Sequence, residues 1–152
     1  MTTLLMLAIA AVSVGLWIGA IVFHSFIVAP LVFKNLETEQ ARNFLRALFP
    51  RFFKFGLGCG IVLVLALILA GTGLGWSALL LGLLGTAVVM TGLEAYSLWL
   101  VPSINAARDA GDAGAKQFKF LHRLSVLLTL AILLMGLGVL GILGAYGGAG
   151  HV

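Results

Sequence analysis

Four apolar stretches, each long enough to cross a lipid bilayer, dominate this sequence. They cover about residues 4–33, 52–70, 77–101 and 120–146. A helix rises about 1.5 Å per residue, so about 20 apolar residues cross a hydrocarbon core of roughly 30 Å. Only 9% of the residues are charged and 62% are hydrophobic, whereas a soluble domain carries about 25% charged residues. The sequence therefore predicts an all-α, polytopic membrane protein, a four-transmembrane-helix bundle that forms a single domain over residues 1–152.

The polar segment between the first two stretches, residues 34–51, has a helical pattern of its own. Its apolar residues recur at helical spacing, and Arg42 and Arg46 fall largely on the opposite side. A helix with one apolar and one basic face lies in the membrane interface. We therefore predict a short amphipathic helix between helices 1 and 2, with Asn35 as its cap and Pro50 as its end.

Proline and glycine indicate where the other helices bend or end. Pro30 predicts a kink or an end in the first span, and Pro102 predicts the exit of the third. The glycine-rich residues 71–76 predict a tight turn. Two glycines in residues 103–119 argue against a continuous helix there, and we expect residues 147–152 to form a flexible tail.

All nine Lys and Arg residues lie in or beside the two polar segments, and four spans place those segments on one side of the membrane. The other side, with both termini and the glycine-rich turn, has none. The positive-inside rule predicts that the polar segments are cytoplasmic and both termini non-cytoplasmic, which we assign to a bacterial inner membrane. The net charge of +4 then needs no nucleic-acid partner, because anionic headgroups of membrane lipids meet it. The basic residues are Lys34, Arg42, Arg46, Arg51, Lys54, Arg108, Lys116, Lys119 and Arg123.

Twenty glycines are present, and many lie inside the apolar stretches. Gly15 and Gly19 are four residues apart, as are Gly56 and Gly60. In lipid, glycines at this spacing let two helices approach closely. Two interpretations stay open: packing inside one four-helix bundle, or a surface for a homo-oligomer or a protein partner.

Ionisable residues inside the spans are few, and each is a functional hypothesis because burying charge in lipid is costly. His24 lies about 15 Å from the end of its span and Glu94 about 12 Å from the end of its own, at 1.5 Å per residue. An imidazole–carboxylate pair at similar depth would serve a proton relay or a ligand set. The alternative is an interhelical hydrogen bond that fixes helix register. Together with His122 and Ser125 they form our candidate buried polar site.

No catalytic motif is present, so no catalytic residue is predicted, and a non-enzymatic protein is favoured over an enzyme. The single Cys59 excludes an intrachain disulfide and a cysteine-rich zinc cluster. No cofactor is predicted outright. A haem held by His24 and His122 stays open, and the identity of any metal is left unknown. His122 lies beside Arg123, so contact with lipid phosphates is its simpler interpretation.

Several short motifs follow one another along the chain: FIVAPLVFKNL at 26–36, LFP at 48–50 with Phe52 and Phe53, WLVP at 99–102 and FKFLHRLS at 118–125. They resemble those of the transmembrane protein 205-like family. That resemblance implies four helices with cytoplasmic polar segments and no established reaction. The architecture is also similar to copper-resistance D-type proteins and to the bacterial haem-associated protoporphyrinogen oxidase, which keeps haem or metal binding open. His24 and Glu94 do not clearly belong to the family pattern, and the residues that carry over are Pro30, Pro50, Pro102, His122 and Ser125.

Three functions follow as expectations. The first is a non-enzymatic membrane protein, acting as an accessory or scaffold subunit or as a lipid-interacting helical bundle. The alternative is a haem- or metal-binding redox protein that uses His122, His24 or both. The third is a small proton-coupled transporter that uses Glu94 and His24.

Overall fold

The computed structural model describes residues 2–148 of the chain, and the side chains of residues 2–145. Of the expected flexible tail, residues 147 and 148 end the last helix, and residues 149–152 lie outside the described part. The elements in order are α1 (Thr2–Phe23), a π-helical turn (His24–Val28), α2 (Ala29–Asn35), α3 (Thr38–Leu74), α4 (Ala78–Asp109), a 3-10 turn (Gly111–Gly114) and α5 (Ala115–Gly148).

Each long helix occupies one corner of a four-helix bundle. α1 packs against α3 and α5, and α4 packs against the same two helices from the other side. Four stretches of the described chain are long and apolar enough to cross a membrane. The predicted all-α four-helix bundle is confirmed.

The centre of the bundle is closely packed, whereas its outer surface is apolar and exposed. Trp17, Leu63, Leu67, Met90 and Ile132 are each at most 1% exposed. Large apolar side chains on all four long helices point outwards. Such a surface suits contact with lipid chains, where exposed apolar side chains carry no cost.

The bundle has one charged and one uncharged end. At the charged end, Arg46 of α3 forms an ion pair with Asp109 of α4. At the uncharged end, Gly73 near the end of α3 approaches Thr3 at the start of α1. Both polar segments therefore lie at the same end of the bundle, as four antiparallel spans require.

The predicted separate interfacial helix is not separate. α3 runs without a break from Thr38 to Leu74 and contains Pro50. A proline removes one backbone donor from a helix and its ring crowds the preceding turn. Here the guanidinium of Arg51 donates to the carbonyl of Ala47 at 2.6 Å, so that a nearby side chain supplies a donor in the affected turn. The amphipathic segment is thus the first third of a membrane helix.

The cap of this helix is also not the predicted one. Glu37 is the N-cap of α3 and forms a capping box with Gln40. Asn35 instead ends α2, and its side-chain amide donates to the carbonyl of Leu31 at 2.9 Å. A capping box satisfies two free backbone donors reciprocally, which a lone asparagine cannot do.

Pro102 does not end the third span, because α4 continues to Asp109. The chain leaves helical geometry only around Ala110, and a 3-10 turn leads into α5 at Ala115. Gly111 has a positive φ of 59°, a conformation that glycine adopts without strain. The helix is therefore interrupted within residues 103–119, as predicted, and the interruption is confined to residues 110–114.

The turn at the uncharged end is shorter than residues 71–76. α3 continues to Leu74, and Gly75 has a φ of 82°. Ser77 then caps α4 by accepting a hydrogen bond from the backbone of Leu80 at 3.2 Å. The indole of Trp76 folds back onto Gly71, where a Cβ atom would lie within 2.6–2.8 Å of the ring.

Pro30 affects the geometry of the helix on its N-terminal side. The backbone N–H of Ala29 donates to the carbonyl of His24, five residues earlier, which defines the π-helical turn. Pro30 has no N–H to continue the α-helical ladder, and its ring crowds the carbonyl four residues earlier. The first span therefore widens by one residue and then continues as α2 up to Asn35.

Candidate functional site: a cavity at the charged end

A cavity of about 950 Å³ lies in the charged half of the bundle. Its walls come from the end of α1, the π-helical turn, α2, the first half of α3, the last two turns of α4 and the first half of α5. Small-molecule sites in proteins occupy roughly 300–1,000 Å³. The volume is thus that of a ligand site rather than a packing defect.

The cavity opens sideways between the first span and the last. α1 packs against α5, but no Cα atom of the π-helical turn or of α2 lies within 8 Å of α5 across the described residues. Phe26 and Phe33 line the cavity and are 71% and 70% exposed. In a membrane this gap faces the acyl chains.

Most of the wall is apolar, and much of it is aromatic. The ring of His24 packs against Phe49 and Phe52, with centroid distances of 5.4 Å and 4.9 Å. Phe53 extends this cluster, in contact with both phenylalanines. The other apolar wall residues are Ile21, Phe26, Ala29, Phe33, Leu36, Ala41, Leu45, Val101, Ile104, Ala107, Ala115, Phe118, Val126, Leu130 and Leu133.

Polar groups concentrate on the wall that α4 and α5 form. The guanidinium of Arg108 lies 4.7 Å from the centroid of the Phe118 ring. The Phe118 ring in turn stacks on His122, with centroids 5.6 Å apart and planes 9° apart. Asn105 lies one turn before Arg108 and also lines the cavity. The stack fixes the guanidinium and the imidazole on one side of the cavity.

Three of the five arginines in the charged half, Arg42, Arg46 and Arg108, differ in their ion pairs. Arg46 pairs with Asp109, and Arg42 pairs with Glu39 at 3.3 Å. Arg108 has no carboxylate oxygen within 4.0 Å among the described residues. Arg42 and Arg108 both line the cavity, from α3 and α4 respectively. The polar end of the cavity is therefore positively charged.

Glu94 lies outside this cavity, in the packed interior. It is 1% exposed, and neither of its carboxylate oxygens has a hydrogen-bond partner in the described part of the chain. The indole Nε1 of Trp17 is buried and also unpartnered. Both groups lie against Gly56, where an added Cβ would meet the carboxylate and come within 2.6 Å of the indole nitrogen.

The structure brings together three of the four residues of the predicted polar site. His24, His122 and Ser125 line the same cavity, and Glu94 does not. No ion pair joins His24 to Glu94 in the described residues, and the Glu94 oxygens accept no hydrogen bond. His24 follows α1 and lies among phenylalanines of α3, whereas Glu94 belongs to α4, at the opposite corner of the bundle, and lies near Trp17. Equal depth in two spans did not imply that the side chains face each other.

The glycine pairs divide between the two interpretations. A Cβ at Gly56 or Gly60 would collide with side chains of the bundle, whereas Gly15 and Gly19 have nothing within 4 Å. The α3 pair therefore serves packing inside the bundle, and the α1 pair lies on the outer surface. Gly136 of α5 also packs inside, against Ile18 and Met90.

Sequence reasoning missed several of the residues that shape these sites. Arg42 and Arg108 were interpreted only as topology residues, although both line the cavity. Trp17 had a usable signal, because tryptophan is enriched at membrane interfaces and this one lies in the middle of a span. Asn105 had none, since a polar residue just beyond Pro102 fits an ordinary polar segment.

Comparisons with known proteins identify a family but no reaction. No curated protein and no solved structure matches the sequence. One family model, described as a domain of unknown function (DUF4149), matches residues 12–113. That range begins within α1 and ends in the 3-10 turn after α4, and it includes Arg42 and Arg108. The resemblance to the transmembrane protein 205-like family stays a prediction. The chain belongs to the DUF4149 family of uncharacterised domains.

Proposed function

We propose that this protein is a non-enzymatic membrane protein that binds an amphiphilic molecule of the bilayer in the cavity at its charged end. One observation carries the proposal: a cavity of about 950 Å³ has an apolar wall, a basic end and a sideways gap between α2 and α5. Most of the wall is apolar, so acyl chains suit this cavity better than a polar ligand does. This develops the lipid-interacting function expected from the sequence.

The distribution of basic residues predicts the orientation of the chain in the membrane. All nine basic residues lie in or near the charged half of the bundle. The positive-inside rule then places that half in the cytoplasmic leaflet, with both termini on the other side. The amphiphile would accordingly come from the cytoplasmic leaflet.

The test compares two alanine-to-phenylalanine variants. Ala29 lines the cavity, so Ala29→Phe fills part of it. Ala8 is exposed on α1 and does not line it, so Ala8→Phe is the matched control. Native mass spectrometry from mild detergent, with phospholipid added, counts the bound lipid. Lipid retained by the parent and by Ala8→Phe, but lost from Ala29→Phe, is the expected result. No retained lipid, or equal occupancy of all three proteins, would overturn the proposal.

A second function has one observation in its favour: His24 and His122 line the same cavity. Two imidazoles on the walls of one cavity are a donor set that suits haem iron, and Arg42 or Arg108 suits a haem propionate. A bound haem would supply one-electron chemistry. An absorption spectrum of the gently purified protein, oxidised and then reduced with dithionite, tests this. A Soret band lost in His24→Ala and in His122→Ala would support it, and a featureless visible spectrum would remove it.

The other expected functions are supported by fewer observations. An accessory or scaffold role is supported by the outward glycines Gly15 and Gly19. Proton-coupled transport is supported by the buried Glu94, although its expected partner His24 faces a different part of the protein. A pull-down in mild detergent and a flux measurement with Glu94→Gln in proteoliposomes are their respective tests.

A further inference from the structure

We propose that the cavity selects an anionic phospholipid, and that Arg108 with Arg42 binds the phosphate of its headgroup. This inference rests on the proposed function, since it assigns the headgroup chemistry of the same ligand. The phosphate is that of a lipid headgroup and not free inorganic phosphate. The following observations lead to it.

The first observation is unbalanced charge. Arg46 is paired with Asp109, whereas Arg108 has no carboxylate within 4.0 Å in the described chain. Arg42 has only Glu39, and the two side chains are 42% and 68% exposed. An exposed pair of this kind contributes little, so Arg42 is available to another anion. Two guanidiniums therefore face one cavity without adequate counter-charge.

The second observation is that Arg108 is held in place. Its guanidinium lies over the Phe118 ring at 4.7 Å, and Phe118 is backed by His122 at a near-parallel 9°. Stacking occupies the face of a guanidinium and leaves the N–H donors at its edge free. A positioned fork of donors is what a phosphate or carboxylate binds in two-point fashion.

The number of donors favours phosphate over carboxylate. Arg42 and Arg108 approach from two different helices, and Asn105 adds a side-chain amide to the cavity wall. A carboxylate has two oxygens, whereas the phosphodiester of a phospholipid has two charged oxygens for the guanidiniums and two further ester oxygens as acceptors. The apolar remainder of the cavity and its sideways gap then accommodate the acyl chains. Separate parts of one cavity thus bind the headgroup and the acyl chains.

The experiment measures binding of probes that share the same acyl chains. Phosphatidylglycerol carries a net negative phosphate, phosphatidylcholine a neutralised one, and diacylglycerol none. Inorganic phosphate is the fourth probe. In native mass spectrometry titrations we expect the parent to bind phosphatidylglycerol more tightly than phosphatidylcholine, and diacylglycerol least. We expect no comparable binding of inorganic phosphate.

Substitutions test whether the preference for phosphatidylglycerol depends on Arg108 and Arg42. Arg108→Gln should weaken phosphatidylglycerol binding about tenfold or more, because a charge-assisted hydrogen bond is lost, and leave diacylglycerol binding unchanged. Arg108→Lys keeps the charge but not the fork, so its loss should be intermediate. Arg42→Gln is an independent variant in case Arg108→Gln does not fold. Arg123→Gln is the charge-matched control, since Arg123 is exposed and does not line the cavity.

The outcomes separate this inference from the proposed function. Equal binding of phosphatidylglycerol and diacylglycerol, or equal effects of Arg108→Gln and Arg123→Gln, would overturn the phosphate site and leave the cavity as an apolar lipid site. Absence of binding for all three lipids would overturn the proposed function and this inference with it. Inorganic phosphate that binds as tightly as phosphatidylglycerol would overturn the commitment to a lipid.

Discussion

Glu94 and Trp17 bring three unpartnered polar atoms into the packed interior, namely both carboxylate oxygens and the indole nitrogen. A buried carboxylate without a partner costs several kcal/mol when it is ionised. A group kept at that cost inside a membrane span points to a functional role. Glu94 does not line the cavity, so this role is separate from contact with a ligand there.

Replacing Glu94 by glutamine should leave the stability unchanged or raise it. Glutamine has nearly the same volume, and its amide oxygen can accept from the indole of Trp17, which lies against Gly56 together with the Glu94 side chain. Glu94→Ala should instead lower the free energy of unfolding by about 2–5 kcal/mol, as large-to-small core changes do. Thermal unfolding in mild detergent, followed by tryptophan fluorescence, compares the three proteins. A large loss in Glu94→Gln would mean that the carboxylate holds an interaction absent from this structure.

Gly56 and Gly58 offer a matched pair on α3 for testing close packing. A Cβ at Gly56 would collide with Glu94 and approach Trp17, whereas a Cβ at Gly58 meets nothing within 4 Å. We expect Gly56→Ala to destabilise the protein by about 1–3 kcal/mol through overpacking. Gly58→Ala should be neutral or stabilising, because alanine favours helix by about 1 kcal/mol over glycine. Equal melting temperatures for the two variants would contradict the packing described here.

At the scale of the helices, the spans themselves were predictable and their ends were not. Hydropathy over about 20 residues is a strong signal, and the described chain has four helices long and apolar enough to cross a membrane. Pro50 and Pro102 were predicted to mark the ends of helices, but they lie inside α3 and α4. A membrane helix tolerates proline because neighbouring groups satisfy the freed carbonyls. The guanidinium of Arg51 donates to the carbonyl of Ala47, which neighbours the carbonyl of Arg46 that Pro50 leaves without its helical donor. Such three-dimensional contacts are not contained in hydropathy.

Removing Pro30 should convert the π-helical turn to α-helix. Alanine supplies the missing N–H and removes the ring, so residues after position 30 should rotate by about 100°, one residue of a 3.6-residue turn. Spin labels at Leu16 and Phe33, both exposed, report the change as a shifted distance by double electron–electron resonance in a Cys59→Ala background. The same pair in Pro102→Ala is the control, because Pro102 lies in another helix. An unchanged distance in Pro30→Ala would show that the turn does not depend on the proline.

At the scale of the whole molecule, the candidate site was only partly predictable. His24, His122 and Ser125 were singled out as polar residues near the ends of apolar spans, and they share a cavity. The cavity itself depends on α2 having no contact with α5. That relation between two segments far apart in sequence leaves no periodic pattern, so Arg108 looked like any other basic residue near a membrane surface.

The orientation of the bundle decides which leaflet the cavity serves, and cysteine accessibility measures it. In a Cys59→Ala background, Leu74→Cys places a thiol at the uncharged end, where Leu74 is 49% exposed. Asp112→Cys places one in the exposed turn at the charged end. Because the positive-inside rule places the charged end in the cytoplasm, a membrane-impermeant maleimide should label Leu74→Cys in intact cells and Asp112→Cys only after permeabilisation. The reverse pattern would place Arg42 and Arg108 at the outer leaflet, and the phospholipid they bind would then be drawn from that side.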